Sequence, residues 1–362
     1  MAIEFSKRVG RTPAYPMSGA QALPEDIVLM ASNESPEPPL PQVVAAIQGV
    51  LGNANRYPDP TNTKLRRALS DRYDVPANRI AIGAGSCDLL MTAGDVLLEP
   101  GAEVVYSWPS FSVYPYLEAA TGATGIRVPL NDAHEHDLDA MLAQITVATR
   151  LVIVCNPNNP TSTALPLDAI TRFIEAVPRH VCILLDEAYC EFNTLDDPDS
   201  SVDLLKKHSN LVLLRTFSKI YGLCGLRVGY ALCGDPRFVE AVDQVRQPFF
   251  CSITAQAAAI EALKHQDVIA ERVERTVIAR VELESALNDM GIEPAASQAN
   301  FCWFPLPEDG PTEPEVVKGL VDRGVLIRGG TGQGREGFLR VTYGTPRDND
   351  RFVAALREVL GQ

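Results

Sequence analysis

Residues 216–227 read Thr-Phe-Ser-Lys-Ile-Tyr-Gly-Leu-Cys-Gly-Leu-Arg and directly follow a short apolar run. Such a run predicts a buried β-strand, so Lys219 is expected just beyond a strand end rather than on a plain surface loop. The hydroxyls of Thr216 and Ser218 and the guanidinium of Arg227 suit a phosphate group. A lysine beside a bound phosphate favours a Schiff base with an aldehyde that carries one, whereas an ordinary polar loop is the alternative interpretation.

Short apolar runs alternate with helical patterns on both sides of this stretch. This alternation predicts an α/β fold, with a mostly parallel sheet and helices on both faces. The predicted strands are residues 79–83, 103–107, 125–128, 151–155, 181–186, 211–215 and 228–232. In such sheets ligands bind at the carboxyl ends of the strands, and several polar blocks of this chain follow strand ends.

The pattern changes after residue 250. One or two long helices are predicted within residues 252–290, followed by short strands and two further helices. A length of 362 residues favours two domains. We predict a large domain over residues 31–250 and a smaller α+β domain formed by residues 1–30 and 251–362.

Composition excludes several classes of partner. The net charge is −14, from 32 basic and 46 acidic residues, which argues against nucleic acid or an anionic membrane as a partner. The eight cysteines form no Cys-x-x-Cys pair and are expected to be free thiols in a reducing compartment. No apolar stretch has the length of a membrane span, and we predict a cytoplasmic protein.

Three further polar blocks follow predicted strands. Asp186 ends one strand, where a helix cap is the alternative role. Asn159 lies in the block Asn-Pro-Asn-Asn-Pro-Thr, whose prolines would hold the asparagine amide rigidly. The loop Gly-Ala-Gly-Ser-Cys, residues 83–87, precedes a helical pattern, and backbone amides at a helix start bind phosphate well. Alone this loop is a weak signal, because it also fits a tight turn.

Together these blocks resemble the fold-type I pyridoxal-phosphate aminotransferases, and among them the histidinol-phosphate aminotransferase family. The resemblance runs from residue 31 to residue 342. It implies pyridoxal 5′-phosphate as cofactor and Lys219 as the residue that carries it. It assigns Asp186 to the pyridine nitrogen, and Tyr189 and Asn159 to the phenolate oxygen. Lys219, Asp186 and Tyr189 are the predicted catalytic residues.

The resemblance also implies the remaining cofactor contacts. Phe111 would stack on the pyridine ring, and Tyr57 would reach the phosphate of a neighbouring subunit, so that a homodimer shares its active sites. The other phosphate contacts would come from Ser86, Cys87, Thr216, Ser218 and Arg227. Cys87 stands where the family often has an acidic residue. The backbone amides of Ser86 and Cys87, rather than the Cys87 side chain, are therefore expected to contact the phosphate.

Substrate contacts are expected from an arginine in an apolar strand. Arg340 resembles the family's substrate-anion arginine, because a buried guanidinium without an anionic partner is costly. Arg328 is predicted to join it, with Asn159 and, from the N-terminal segment, Tyr15. A pair of structural salt bridges is the alternative for the two arginines.

The predicted reaction moves an amino group from an amine donor to a 2-oxo acid. Histidinol phosphate with 2-oxoglutarate, in histidine biosynthesis, is the first substrate pair, and an aromatic amino acid aminotransferase for phenylalanine or tyrosine is the alternative. A nucleotide-binding module and a non-catalytic aminotransferase-like regulator are the alternatives from other classes. No metal site is expected at His134 and His136, which lack further ligands at metal spacing. The glycine-rich residues 329–334 are expected to form a turn near the substrate.

Overall fold

The architecture was determined from a computed structural model that describes residues 3–12 and 26–362. The α-helices of this part of the chain are α1 (Lys7–Arg11), α2 (Pro41–Leu51), α3 (Thr63–Tyr73), α4 (Ser86–Leu97), α5 (Tyr114–Thr121), α6 (Leu138–Ala143), α7 (Leu167–Ala176), α8 (Pro236–Val245), α9 (Ile253–Ala262), α10 (Gln266–Asn288), α11 (Glu313–Asp322) and α12 (Pro346–Leu360). The strands are β1 (Val28–Leu29), β2 (Ile80–Gly83), β3 (Glu103–Trp108), β4 (Thr124–Pro129), β5 (Thr149–Cys155), β6 (Cys182–Asp186), β7 (Leu211–Thr216), β8 (Gly229–Cys233), β9 (Phe301–Pro305), β10 (Val325–Leu326), β11 (Arg328–Gly329) and β12 (Phe338–Thr342).

The central sheet contains all seven strands predicted before residue 233. Its order is β2-β8-β7-β6-β5-β3-β4, and its strands are parallel except β8, which runs antiparallel to both of its neighbours. The inner strands β5, β6 and β7 are buried on both faces, which explains why they read as nearly continuous apolar runs. The prediction of an α/β fold with a mostly parallel sheet is confirmed.

A second group of strands lies after residue 300. β11, β12 and β9 form an antiparallel sheet, and β10 pairs in parallel with β1 from the beginning of the chain. Helices α10, α11 and α12 contribute to a separate apolar cluster that covers this region, with Met30, Leu283, Phe304 and Phe352 among its buried members. Strand β1 therefore packs with the C-terminal strands, whereas the short helix α1 contacts α5 beside the large sheet.

Helix α9 buries its alanines in the apolar cluster of the large sheet, together with residues of α2 and α3. The regular 3.6-residue spacing of small side chains permits this close packing against a neighbouring helix. The division of the chain into domains at residue 250 stays a prediction.

The end of β7, which precedes Lys219, is held in place by a buried arginine. Arg215 donates to Glu187 at 2.8 Å and to Asp199 at 3.0 Å, and its guanidinium lies 5.2 Å from the ring centre of Tyr73. A buried charge is tolerated when it is paired and hydrogen-bonded, as this one is. The strand end that positions Lys219 is thereby tied to the loops beside it.

In the described ranges 3–12 and 26–362, no helix has the length and apolar character needed to cross a bilayer.

Candidate active site

The carboxyl ends of β5, β6 and β7 meet at one side of a cavity of about 220 Å³, and the loop after β2 closes its opposite side. Parallel strands present their ends at one edge of the sheet, which is why segments distant in sequence converge there. The predicted cofactor residues other than Tyr57 line this cavity, namely Ser86, Cys87, Phe111, Asn159, Asp186, Tyr189, Thr216, Ser218, Lys219 and Arg227. Ser32 and Glu34, from the segment after β1, also contribute to its wall.

The amine of Lys219 is directed into this cavity. Its Nζ donates to the carbonyl oxygens of Ser32 and Asn33, each at 3.1 Å, and lies 5.5 Å from the ring centre of Tyr189. Burial lowers the pKa of Lys219 to about 8, and the positive charge of Arg340 acts in the same direction. A sizeable fraction of this amine is therefore unprotonated near neutral pH, as a nucleophile or a proton acceptor requires.

Asp186 lies at the end of β6, 4% exposed. Its carboxylate accepts from the hydroxyl of Tyr114 at 2.9 Å and from the amide of Ala188 at 3.3 Å. Burial raises the pKa of Asp186 to about 6. In this environment a cationic hydrogen-bond donor would stabilise the ionised form of the carboxylate, and a protonated pyridine nitrogen is such a donor.

The hydroxyl of Tyr189 receives two amide donors. Asn33 Nδ2 lies 3.1 Å and Asn159 Nδ2 3.5 Å from Tyr189 Oη. Burial raises the pKa of Tyr189, so the phenol stays protonated and can itself donate a hydrogen bond. This group of three side chains suits an anionic oxygen such as a phenolate.

The turn that carries Asn159 is also well fixed. Asn158 accepts from the hydroxyl of Ser110 at 2.7 Å and donates to Thr161 at 2.8 Å. Ser162 adopts a left-handed φ of 60°, a conformation that glycine takes without strain and serine takes less readily.

The cavity end beside helix α4 has the shape of a phosphate cradle. Arg227 Nη1 lies 3.5 Å from Ser218 Oγ, and a Cβ on Gly85 would lie 2.5 Å from Arg227 Nη2. A Cβ on Gly229 would overlap with the backbone of Gly85 and Ser86. Because two glycines create this space and the amides of a helix start face it, the residues present fit the phosphate of pyridoxal phosphate.

Gly229→Ala is expected to weaken the affinity of the apoprotein for pyridoxal phosphate by at least about tenfold, since the added methyl group displaces the loop that forms the helix start. The dissociation constant is measured by titrating apoprotein with the cofactor and following visible absorbance. Gly225→Ala is the matched control, because a Cβ there meets no atom within 4 Å. Equal affinities in the two variants would contradict this account of the cradle.

Arg340 reaches the cavity region from β12. Its Nη1 donates to Asn159 Oδ1 at 2.6 Å and to Gln333 Oε1 at 2.8 Å, and its Nη2 donates to the carbonyl of Ala31 at 2.6 Å. The guanidinium also lies 5.4 Å from the ring centre of Phe301. These contacts hold the guanidinium between β12, the turn that carries Asn159 and the segment after β1.

Two of the other predicted residues, Tyr57 and Arg328, lie away from the cavity of their own chain. Tyr57 is 81% exposed and stacks on Phe249 with ring centres 4.5 Å apart, away from the cavity of its own chain. Arg328 pairs through its backbone with Arg340 across β11 and β12, and its half-buried side chain is not among those lining the cavity. Tyr15 lies outside the described residues.

Sequence reasoning missed three side chains of this region. Tyr114 binds Asp186, Asn33 binds Tyr189, and Gln333 binds Arg340. Nothing in the spacing of Tyr114 and Asn33 along the sequence shows which group they contact. Gln333 lies in the glycine-rich turn, where a single polar residue carries no periodic signal. Among the described residues, no group of three or more His, Cys, Asp or Glu side chains is arranged to hold a metal ion.

Comparison with known proteins identifies the family. The profile of the family described as aminotransferase class I and II matches residues 25–356. The chain is 43% identical over 330 residues to an aromatic amino acid aminotransferase of Thermobifida fusca, a match covering 91% of this chain and 89% of the relative. It is 41% identical over 357 residues to a protein of the same name from Mycolicibacterium vanbaalenii, covering 99% and 98% of the two chains.

Solved structures agree with this assignment. The histidinol-phosphate aminotransferase of Sinorhizobium meliloti, in complex with pyridoxal 5′-phosphate, superposes with a TM-score of 0.85 at 32% identity, over 92% of this chain and 91% of that one. An aspartate aminotransferase of Thermus thermophilus shares the fold, with a TM-score of 0.85 at 21% identity over 99% of this chain and 100% of that one. The chain belongs to the class I and II aminotransferases, and it is an enzyme with pyridoxal 5′-phosphate as cofactor and an amine and an oxo acid as substrates.

Proposed function

We propose that this enzyme is an aromatic amino acid aminotransferase, which moves the amino group of phenylalanine or tyrosine to 2-oxoglutarate. The observation that carries the proposal is the name shared by the relatives at 41% and 43% identity, against 32% for the histidinol-phosphate enzyme. The proposal replaces histidinol phosphate, our first expectation for the substrate, with the aromatic amino acids, which were the alternative. A role in histidine biosynthesis has no support from these relatives.

The position of Arg340 is compatible with this choice. Phenylalanine, tyrosine and glutamate all carry an α-carboxylate beside the amine, so one guanidinium can bind both substrates in turn. Histidinol phosphate has no carboxylate and would present its phosphate instead. In our proposal Arg340 binds the α-carboxylate, Asn159 holds the guanidinium in place, and Arg328 contributes positive charge from the adjacent strand. The role of Tyr15 stays a prediction.

Lys219 is proposed to move the proton. When bound, pyridoxal phosphate supplies an aldehyde that receives the amine and a ring that withdraws electrons from the substrate Cα. Lys219 Nζ would accept the proton from the substrate Cα and deliver it to the cofactor C4′ carbon, and in the second half-reaction it would move a proton in the opposite direction, from C4′ to the Cα that derives from the oxo acid. Its lowered pKa suits both tasks, because an amine with a pKa near 8 accepts and releases protons near neutral pH.

In our proposal the other side chains of the cavity orient the pyridine ring and keep its nitrogen protonated. Asp186 accepts a hydrogen bond from the protonated pyridine nitrogen, which preserves the ring's ability to withdraw electrons. Tyr189 and Asn159 donate to the phenolate oxygen, and Phe111 stacks on the ring. The amides of Ser86 and Cys87 bind the phosphate together with Thr216, Ser218 and Arg227, which all line the same cavity.

We also propose a cytoplasmic homodimer in which Tyr57 reaches the phosphate of the partner's site. Two exposed rings stacked on each other, Tyr57 at 81% and Phe249 at 39%, form an apolar surface of the kind that a second subunit covers. Light scattering of the holoenzyme tests the dimer, and a monomer with full activity would refute it.

The substrate is tested by absorbance and by steady-state kinetics. Phenylalanine or tyrosine should bleach the visible band of the holoenzyme, and 2-oxoglutarate should restore it. We expect kcat/KM for phenylalanine to exceed that for histidinol phosphate by about 100-fold, the size of discrimination that one binding pocket provides. A higher kcat/KM for histidinol phosphate would return the assignment to that substrate.

A further inference from the structure

Arg246 follows the last residue of α8 and contacts both ends of the loop that forms the phosphate cradle. Its side chain is 5% exposed. Nη1 donates to the carbonyl oxygen of Ile82 in β2, and Nη2 donates to Oδ2 of Asp88, in the first turn of α4, at 3.2 Å. Because residues 83–87 lie between these two acceptors, one guanidinium fixes the strand end and the helix start relative to each other.

Asp88 contributes both a hydrogen bond and a negative charge to this loop. Its Oδ2 also accepts from the backbone amide of Ala84 at 2.9 Å, which closes the turn. A carboxylate in the first helical turn stabilises the helix, but it lies at the end where the backbone amides would receive a phosphate. Two anions near one helix start repel each other, so phosphate binding is expected to be weakened unless a cation compensates Asp88.

The surroundings of Arg246 leave its charge to Asp88. The guanidinium carbon lies 3.7 Å from the ring centre of Phe250, and Nη1 lies 3.8 Å from Oδ1 of Asp243. Asp243 is bound more closely by Arg66, whose Nη2 lies 2.6 Å from its Oδ2. Of the ion pairs that Arg246 forms with described residues, the pair with Asp88 is therefore the shorter and the less shared.

We propose that Arg246 is a positioning residue of the cofactor phosphate site, which compensates the charge of Asp88 and holds the 83–87 loop in the shape of the cradle. The inference rests on the proposed assignment of that cradle to the phosphate of pyridoxal phosphate, and it is independent of the amino donor. Arg246 and Asp88 are 158 positions apart, so their spacing in the sequence does not indicate this pair.

The test compares two ligands of the apoprotein, pyridoxal phosphate and 5-deoxypyridoxal, which has a methyl group in place of the phosphate-bearing side chain. Dissociation constants are measured by visible absorbance, and their ratio isolates the contribution of the phosphate. Arg246→Met keeps an apolar side chain but removes the charge. For this variant we expect the affinity for pyridoxal phosphate to fall about tenfold, the effect of one charge at a partly buried helix start. The affinity for 5-deoxypyridoxal should stay that of wild type.

Asp88→Asn is the second variant, and the third combines it with Arg246→Met. Removing the carboxylate makes compensation unnecessary, so Asp88→Asn should bind pyridoxal phosphate at least as tightly as wild type. The double variant should recover affinity to within about threefold of wild type, the remaining difference being the lost hydrogen bond to Ile82. A purely structural role of Arg246 would leave the double variant as weak as Arg246→Met.

Arg237→Met is the matched control, because Arg237 also belongs to α8, its side chain is 84% exposed and it pairs with Asp235. This change should alter neither dissociation constant. Unchanged affinity in Arg246→Met, or a double variant that binds no more tightly than Arg246→Met, would overturn the inference. Weaker pyridoxal phosphate binding by Asp88→Asn would overturn it as well, and this result decides the case if Arg246→Met does not fold. If phenylalanine is not a substrate but the phosphate contribution falls as expected, the proposed function fails and the inference stands.

Discussion

Lys219→Ala is expected to reduce transamination by at least about 10⁴-fold, because in our proposal one side chain both attaches the cofactor and moves the proton at the substrate Cα. Among the described residues that line the cavity, no other side chain carries an amine. The other nitrogen groups there are amides and the Arg227 guanidinium. An amide is not basic, and a guanidinium stays protonated. The measurement is the rate of oxo-acid formation from phenylalanine, together with the visible spectrum of the purified variant.

The matched control is Lys318→Ala, because the Lys318 side chain is 75% exposed on α11 and pairs only with the surface carboxylate of Asp322 among its described ion pairs. This change should leave both the rate and the spectrum unaltered. If Lys219→Ala retained the wild-type rate, Lys219 would be excluded as the proton carrier, and the proposed mechanism would fail with it.

Asp186→Asn is expected to lower kcat by about 10³-fold, the effect typical of removing one preorganised charge from an active site. Asparagine is close in size and can still accept from the Tyr114 hydroxyl, so the cavity should keep its shape. What disappears is the negative charge that would hold a proton on the pyridine nitrogen. The turnover rate with phenylalanine is compared with that of Asp203→Asn, whose side chain is 78% exposed.

The same change should stabilise the apoprotein, in a pH-dependent way. Burial in the folded state raises the pKa of Asp186 to about 6 from its usual value of 3.8, so ionising the buried carboxyl disfavours folding. As the pH falls from 6 this penalty decreases, and it vanishes well below pH 3.8, where the carboxyl is protonated in both the folded and unfolded states. Above pH 6 it is complete, and Asp186→Asn should then increase the free energy of unfolding by up to about 3 kcal/mol.

Chemical denaturation of the two apoproteins at pH 4 and at pH 8 measures this difference. We expect similar free energies of unfolding at pH 4 and a more stable variant at pH 8. A variant that is less stable than wild type at pH 8 would show that the carboxylate is satisfied by its own neighbours, without a cationic ligand. Loss of activity with a gain in stability is the signature of a side chain kept for function.

The sequence predicts the sheet well because buried parallel strands are short, apolar and separated by helical periodicity. The seven runs between residues 79 and 232 appear as seven strands, with bounds that differ by one or two residues. Strands after residue 300 are harder to predict from the sequence, since residues 325–329 form two short strands in different sheets. Strand β10 pairs with β1 and β11 pairs with β12, so the chain changes its partner strand after Leu326. Tertiary pairing, and not the local sequence pattern, determines this change.

The candidate site divides in a similar way. Lys219, Asp186 and Asn159 were predictable because each follows a strand end, where an α/β sheet concentrates its chemistry. The substrate was not predictable from the sequence, because our first choice rested on overall resemblance to a scaffold that several aminotransferases share. The comparison with relatives favours the aromatic enzyme, which was our alternative.

The amino-acid sequence by itself determined the class of fold, and it predicted the edge of the sheet for ligand binding and the lysine proposed to carry the cofactor, since strand periodicity and strand-end chemistry are local properties. Only the tertiary structure decided which side chains hold those residues in place. Tyr114 contacts Asp186 across 72 positions, Asn33 contacts Tyr189 across 156, and Arg340 contacts Asn159 across 181. Contacts over such separations depend on how sheets and helices pack, and no periodicity along the chain records them.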